Sequence, residues 1–206
     1  LDSIISHLNH IYGDSNDKSE TVRIEKSKQF DDNLNYRVME QLRNVAQHSG
    51  FIVRMMSRKQ GKMGDKLYYN ATPYIRVFDL EGNKKFKKDI LNEIKMHDDH
   101  IDLKYTIRSY IESIGKIHVK YYELIKNDID SWEAEIDDIF KIFKEKADLN
   151  EDYLEIVEQN EEGSCAYAIP ILTEPIKRRQ KLEQKNITLS SLTKKHITNQ
   201  IEKRIA

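Results

Sequence analysis

The first part of the chain carries apolar residues at helical spacing, interrupted by one polar loop. A first stripe shares one helix face and consists of Ile4, Ile5, Leu8 and Ile11. It predicts a short amphipathic helix that ends at Gly13. A second stripe, mostly at four-residue steps, consists of Val22, Phe30, Leu34, Val38, Leu42 and Val45. It predicts one long helix from about Glu20 to His48, followed by Gly50, a residue that adopts the left-handed conformation without steric cost.

The pattern changes directly after Gly50 to β-branched and aromatic residues with two glycine-bearing turns. This composition is typical of strands rather than helices. We predict a β-hairpin with strands at about 51–58 and 66–71, a turn at 60–65 between them, and a third strand at 74–79. A further glycine-containing turn then leads into a predicted helix from about Lys85 to Met96.

The longest strongly patterned segment begins at His97 and predicts another helix. Its apolar face is spaced by three and four residues and consists of Leu103, Ile107, Ile111, Ile114, His118, Tyr121 and Ile125. Such a heptad-like seam packs either inside its own bundle or against a second copy of the chain. Two further helices are expected at 131–146 and 149–160.

The C-terminal part of the chain has a different character. A glycine- and proline-bounded apolar run at 161–175 is expected to be extended or to form a short strand. A basic connector follows at 176–186. A last helix is predicted at about 189–204, and it is a second candidate for contact with another copy of the chain.

Three prolines and seven glycines in 206 residues favour long helices over a turn-rich β fold. We therefore predict a mainly α protein, a helical bundle with a β-hairpin at about 51–79 inserted after the long helix. A domain at 1–160 would hold this bundle. Residues 161–206 would form the extended segment and a C-terminal helical arm.

Charge and cysteine content narrow the classes of function. Basic and acidic residues number 34 and 35, so the net charge is -1 and any basic site must be local. The single cysteine, Cys165, excludes an internal disulfide framework and is typical of a reducing compartment, so we expect a cytoplasmic protein. No apolar run approaches the roughly 20 residues of a membrane span, so no membrane partner is expected.

Three polar side chains are gathered at the predicted end of the long helix, in the stretch RNVAQH. They are Arg43, Asn44 and His48, and we expect them to be exposed. A helix C-terminus favours a cation, and arginine can hold two phosphoryl oxygens at once. Histidine is the side chain best suited to move a proton near neutral pH. The group suits an anionic substrate such as RNA, whereas an ordinary solvated helix end with a polar cap is the alternative.

The same stretch resembles the signature of the HEPN superfamily, a group of all-α domains defined by an arginine, an adjacent polar residue and a histidine a few residues on. Arg43, Asn44 and His48 match these positions in order, and their surroundings resemble an uncharacterised bacterial subgroup. The resemblance implies a HEPN-like bundle with Arg43 and His48 as catalytic residues and Asn44 in a positioning role. Many members are metal-independent ribonucleases of toxin–antitoxin or phage-defence systems, typically with two motifs meeting across a dimer.

A second candidate site is the basic hairpin that follows the motif. Its cations are Arg54, Arg58, Lys59, Lys62 and Lys66. They can hold an RNA backbone through phosphate contacts, or they can simply keep a hairpin tip in solvent. Because the hairpin directly follows His48 in sequence, we assign Arg54, Arg58, Lys59 and Lys62 to RNA binding.

Three weaker candidates remain. The HDDH stretch at 97–100 suits helix N-capping better than metal binding, because no distant ligand cluster completes a site. His118 lies on the apolar seam and is either a core residue or a second acid or base. The basic run at 177–181 is either a solvated connector or a contact for nucleic acid or an acidic partner. We expect no metal site and no cofactor.

The function expected from these features is metal-independent endoribonuclease activity in a toxin or defence system, with RNA cleaved by attack of its 2′-OH. The expected partners are RNA, a second copy of the chain, and an antitoxin or other protein. The alternative is a non-catalytic HEPN-like helical module that binds a nucleotide, RNA or a protein.

Overall fold

A computed structural model describes residues 1–50, 53–64, 66–147, 154–161 and 163–189. Over these residues the chain forms seven helices and five strands, the strands in two small antiparallel sheets. The prediction of a mainly α protein with a β-hairpin is confirmed. By their contacts the described residues group into two compact units, residues 1–120 together with 187–189, and residues 121–186.

The first two helices follow the predicted stripes closely. Helix α1 spans Asp2–Tyr12 and ends at Gly13, whose φ of 86° is the left-handed value that glycine tolerates. Helix α2 spans Asp17–Asp32 and is capped by Asn16, whose side-chain oxygen accepts a hydrogen bond from the Ser19 backbone N–H at 2.8 Å. The same Asn16 amide donates to the Leu8 carbonyl at 3.3 Å and so joins the two helices.

The prediction of one long helix over 20–48 is wrong, because the helix is interrupted at Asn33. Asn33 is extended, with φ −126° and ψ 100°, and a separate helix α3 spans Leu34–Ser49. The Asn33 side-chain oxygen caps α3 by accepting from the Asn35 N–H at 3.0 Å. Asparagine at such a position offers the backbone an alternative to continued helix, so the break costs little.

The first sheet contains the predicted hairpin with different bounds. Strand β1 spans Met55–Met63 and pairs antiparallel with β2, Lys66–Arg76. The turn falls at Gly64, which has a φ of 61°, and not at Gly61, so both strands extend further than predicted. The predicted turn at 60–65 is thus correct only in its last part, and residues 51, 52 and 65 lie outside the described residues.

The prediction of a third strand at 74–79 is wrong. Residues 74–76 are the last residues of β2, and a short helix α4 follows at Phe78–Glu81. The turn between them is closed by Arg76, which donates two hydrogen bonds to the Asp79 carboxylate at 2.8 and 2.9 Å. The third strand of the sheet is β3, His100–Asp102, which pairs antiparallel with the end of β2.

Helix α5 spans Lys88–Lys95, inside the predicted 85–96. Together with α3 and the base of the sheet it encloses the main hydrophobic core of the first unit. The buried core residues are Val38, Leu42, Val45, Ile75, Val77, Leu80, Phe86, Ile90, Leu91, Ile94 and Ile101. The apolar stripe of α3 thus fixes which side of that helix faces the core and which side stays in solvent.

Helix α6 spans Leu103–Ala147 and is continuous where two separate helices were predicted. It begins after Asp102, whose carboxylate accepts the Tyr105 N–H at 3.0 Å, so Asp102 replaces the expected caps at 98 and 99. The predicted seam is only partly buried, since Ile107 and Ile111 are each 37% exposed.

The face of α6 that the first unit buries is largely polar. Its buried residues include Thr106, Ser109, Ser113 and Ile117. Ser109 and Ser113 accept hydrogen bonds from the Asn33 amide at 3.0 and 2.8 Å, and Thr106 donates to Asn35 at 3.1 Å. Hydrogen bonds to the start of α3 therefore contribute to the packing of this part of α6, together with the buried Ile117.

The second unit contains the rest of α6, a hairpin and helix α7. Strand β4, Leu154–Gln159, lies where a helix was predicted at 149–160, so that prediction is wrong; residues 148–153 lie outside the described residues. Strand β5, Cys165–Ile171, pairs with β4 and confirms the predicted strand. Helix α7 spans Glu174–Leu189 and replaces the predicted basic connector. The helix predicted at 189–204 falls, apart from its first residue, outside the described residues.

Within this unit α7 is joined to α6 by an ion pair. Arg179 donates two hydrogen bonds to the two carboxylate oxygens of Glu133, each at 2.6 Å, and contacts the hydroxyl of Tyr122. The hydrogen bond from Arg179 to Glu133 raises the pKa of Arg179. The partner of Arg179 lies 46 residues away in sequence, so this contact could not be predicted from the segment itself.

None of the helices in the described part of the chain combines the length and the apolar character that crossing a membrane would need.

Candidate functional site

The motif residues lie on the last turns of α3, on its solvent side. Leu42 and Val45 are buried in the core of the first unit. Arg43, Asn44 and His48 are exposed, as expected from the sequence. The apolar stripe therefore orients the helix, and the motif residues are left on the part of its surface that the core does not use.

The three side chains do not converge on one point of the helix. At about 100° per residue, Asn44 and His48 lie about 40° apart around the axis, whereas Arg43 and His48 lie about 140° apart. None of the three forms a hydrogen bond or ion pair with another described residue. One copy of α3 therefore presents an amide and an imidazole on one side and a guanidinium on another.

The end of α3 fixes where His48 stands. His48 is in the last turn, and Gly50 follows at φ 78°, a conformation that a residue with a side chain rarely adopts. The last carbonyl groups of a helix carry partial negative charge and favour a cation. The glycine thus places the imidazole beside the helix terminus.

Two residues that the sequence did not single out lie next to the motif. The Tyr110 hydroxyl on α6 donates a hydrogen bond to a Glu40 carboxylate oxygen at 2.7 Å. Burial raises the pKa of Tyr110, the hydrogen bond to Glu40 raises it further, and Arg43 acts in the opposite direction. Glu40 and Arg43 are three residues apart and so are neighbours on one helix face, which places a carboxylate beside the guanidinium.

Tyr36 packs against this pair. Its ring centroid lies 5.1 Å from that of Tyr110, and burial raises its pKa to about 12. The spacing of Glu40 and Arg43 was visible in the sequence. The contact with Tyr110 was not, because it joins residues 70 positions apart.

The basic hairpin is divided by the alternation of strand side chains. Arg58 and Lys62 lie on one face of β1, and Lys59 lies on the other. Arg54 precedes β1 and lies near Asp79, a carboxyl whose pKa is lowered by its hydrogen bond from Arg76 and, to a smaller extent, by Arg54. The four predicted RNA-binding residues therefore do not form one patch, and only Arg58 and Lys62 share a strand face.

Some residues of the three weaker candidates make contacts within the fold. In the HDDH stretch, Asp98 accepts the His100 N–H at 3.1 Å in the turn before β3, so the predicted cap for the long helix is wrong. Burial lowers the pKa of His118, which is half-buried. In the run 177–181, Arg179 is held by Glu133. Among the described residues, no three His, Cys, Asp or Glu side chains come together as a metal site.

Two cavities are lined by described residues other than those of the motif. One, of about 750 Å³, lies at α1 and α2 and is lined by Asp2, Ile5, Ser6, Asn9, His10, Gly13, Asp14 and Arg23. The other, of about 410 Å³, is lined by apolar residues of α6 and the β4–β5 hairpin, with one carboxylate. Neither is lined by Arg43, Asn44 or His48.

Comparison of the chain with protein-family models, with curated proteins and with solved structures finds no match.

Proposed function

We propose that the chain is a metal-independent endoribonuclease of the HEPN type that acts in a toxin or defence system. The proposed substrate is RNA, the proposed compartment is the cytoplasm, and an antitoxin or another protein would be its regulatory partner. Arg43 and His48 would be the catalytic residues, with Asn44 holding the phosphate or the imidazole.

The observation that carries this proposal is the exposure of all three motif residues on a helix whose other side is fixed in the core. The three side chains form no ion pair or hydrogen bond with another described residue, so each is open to contact with a ligand. An exposed imidazole and guanidinium at a helix end suit a phosphodiester, which is anionic and exchanges a proton at its neighbouring hydroxyl during cleavage.

The reaction requires two proton transfers and the stabilisation of negative charge. A base removes the proton from the 2′-OH, and the resulting oxygen attacks the adjacent phosphorus. The bond from phosphorus to the 5′-oxygen breaks, and that oxygen takes a proton from an acid. The products are a 2′,3′-cyclic phosphate and a 5′-hydroxyl. His48 would supply the proton transfers, and Arg43 would stabilise the charge on the phosphoryl oxygens.

One copy of the motif is poorly arranged for all of these roles. A single imidazole cannot remove one proton and donate another in the same step, and Arg43 points about 140° away from His48 around α3. Two copies that face each other would provide a base, an acid and two guanidinium groups around one phosphate. We therefore propose a homodimer with a composite site.

Incubation of the protein with RNA tests the proposed chemistry. We expect the wild-type chain to cleave RNA at an unchanged rate in the presence of EDTA, because a histidine and an arginine supply the proton transfers and the positive charge. The cleaved ends, analysed by phosphatase and kinase treatment, should be a 2′,3′-cyclic phosphate and a 5′-hydroxyl. Loss of cleavage in EDTA, or a 5′-phosphate product, would contradict the mechanism.

A second expected result concerns assembly. Sedimentation equilibrium should give twice the chain mass of 24.4 kDa. Spin labels on the thiol introduced by Gln47→Cys, in a chain whose native cysteine is removed by Cys165→Ser, should lie close together across the dimer. Position 47 suits the label because Gln47 is exposed between the motif residues. A monomer at all concentrations, or a dimer with distant labels, would rule out a composite site.

The competing function is a non-catalytic helical module that binds a nucleotide, RNA or a protein. The observation in its favour is the separation of Arg43 from His48 around the helix axis, which leaves a single copy without an assembled site. This module would bind its ligand without cleaving it. RNA that remains intact while it is bound by a dimer with facing motifs would favour the module over the enzyme.

A further inference from the structure

The β1–β2 hairpin carries a mixed cationic and aromatic face. In the antiparallel register Arg58 lies opposite Ala71, Gln60 opposite Tyr69, and Lys62 opposite Leu67. Opposed residues share a sheet face, and so do residues two apart along a strand. Arg58, Lys62 and Tyr69 therefore belong to one face, with the aromatic ring between the two cations.

These side chains are free to meet a ligand. Tyr69 is 61% exposed and Leu67 is 85% exposed, values that are high for large side chains on a strand. None of the side chains of Arg58, Lys62 and Tyr69 forms a hydrogen bond or ion pair with another described residue. An exposed ring between two exposed cations offers a stacking surface with positive charge on either side.

The opposite face of the hairpin is used by the fold. Asn70 and Thr72 are buried there, and Asn70 accepts a hydrogen bond from Lys104 of α6 at 3.2 Å. Lys59 lies opposite Asn70 and belongs to this face. Alternation thus separates Lys59 from Arg58 and Lys62, so Lys59, which the sequence alone assigned to RNA binding, is not part of the face around Tyr69.

The cationic face also has the orientation of the sheet residues that belong to the same core as the motif helix. Ile75 is six residues after Tyr69 on β2, an even number, so it has the same orientation. Ile75 is buried in the core with Val38 and Leu42 of α3. A ligand held along the outer part of this face would therefore lie on the side of the sheet that faces the core of the first unit, to which α3 contributes.

We propose that the face formed by Arg58, Lys62 and Tyr69 binds single-stranded RNA, with one base stacked on Tyr69 and the flanking phosphates on the two cations. The identity of the nucleic acid as RNA rests on the proposed ribonuclease function; the stacking site itself rests on the hairpin. It would hold a strand on the side of the sheet that faces the core of the first unit and select unpaired substrate.

A single strand fits this face better than a duplex does. A ring stacks on a base only where the base is free of its neighbours, and stacking is tolerant of sequence. In duplex RNA the bases are stacked already, and the deep, narrow major groove does not admit side chains. The cations contribute the part of the affinity that depends on salt.

The experiment measures binding by fluorescence anisotropy with a labelled 2′-O-methyl oligouridine, which has no 2′-OH and cannot be cleaved by the proposed reaction. Tyr69→Leu removes the ring and keeps apolar bulk, and Tyr69→Phe keeps the ring. Arg58→Ala and Lys62→Ala remove the cations. Lys59→Ala is the matched control, because it removes a cation of the same hairpin from the opposite face.

We expect Tyr69→Leu to weaken binding by about 5- to 150-fold, the range for loss of one base–aromatic stack. Tyr69→Phe should bind like the wild type. Arg58→Ala and Lys62→Ala should each lower the slope of log affinity against log salt by about 0.7, the value for one phosphate of a single strand. Lys59→Ala should change neither affinity nor slope.

Three outcomes would overturn the stacking site: unchanged binding by Tyr69→Leu, a loss for Lys59→Ala equal to that for Arg58→Ala, or tighter binding of duplex RNA or duplex DNA than of the single strand. The proposed enzyme function fails separately. Cleavage that depends on His48 but not on Tyr69 would leave the ribonuclease standing without the stacking site. Tyr69-dependent binding by a chain that cleaves no RNA would leave the stacking site without the ribonuclease.

Discussion

We expect His48→Ala to lower the rate of RNA cleavage by about 10²- to 10⁴-fold, the usual contribution of a positioned general acid or base. Arg43→Ala should cause a loss of similar size, because charge on the phosphoryl oxygens would no longer be balanced in the transition state. Both side chains are exposed and make no polar contact with another described residue. The melting temperature should therefore stay close to that of the wild type. Cleavage rates and thermal unfolding, measured on the same preparations, check both expectations.

The chain provides a closely matched control for the histidine. His10 is exposed in the last turn of α1, and Gly13 follows that helix with a positive φ, as Gly50 follows α3. His10→Ala thus removes a histidine from an equivalent helix end without touching the motif. Equal activity of His10→Ala and the wild type, with a large loss for His48→Ala, assigns the effect to the motif. If His10→Ala and His48→Ala lowered the cleavage rate equally, the loss would come from surface charge in general, and the assignment of His48 as a catalytic residue would fail.

The parts of the fold that depend on local sequence were predictable. The apolar stripe of α1 and the glycine after it were sufficient for both the helix and its end. The same holds for the end of α3, where Gly50 follows the last buried turn. The change to β-branched and aromatic residues after Gly50 predicted a hairpin, because that composition disfavours a helix.

The parts of the fold that depend on contacts between residues far apart in sequence could not be predicted. The segment 154–159 contains Leu154, Ile156 and Val157 among acidic residues and suits a helix or a strand equally. It is a strand because β5 pairs with it. Likewise the basic segment after Glu174 is helical, and Arg179 of that helix is held by Glu133 of α6.

The candidate site shows the same division. The order of Arg43, Asn44 and His48 and their exposure follow from the motif and from the buried positions beside it. The basic hairpin residues can be assigned to one face or the other only when the strand register is known. The sequence did not determine this register, because Gly61 and Gly64 were equally suitable for the turn. The Tyr110–Glu40 contact required the packing of α6 on α3.

We expect Asn33→Ala, a substitution outside the motif, to lower the free energy of unfolding by about 2–4 kcal/mol. The side chain caps α3 through its oxygen, and loss of such a cap costs about 1 kcal/mol. Its amide also donates to Ser109 and Ser113, which are buried on α6, and each hydrogen bond contributes roughly 0.5–1.5 kcal/mol. Urea unfolding, followed by circular dichroism, measures the loss as a lower midpoint.

Two further variants separate the roles of Asn33. Asn33→Asp keeps an oxygen that can accept the Asn35 N–H. It removes the donating amide, but the serine hydroxyls can donate to the new carboxylate instead. Asn33→Asp should therefore lower the free energy of unfolding by less than Asn33→Ala does. Asp32→Ala changes the exposed neighbour and should alter stability by no more than about 0.5 kcal/mol. If Asn33→Ala were as stable as Asp32→Ala, the polar contacts would not hold α3 against α6. The direction in which α3 presents Arg43 and His48 would then be set by its apolar side alone, and Asn33→Ala would also leave RNA cleavage unchanged.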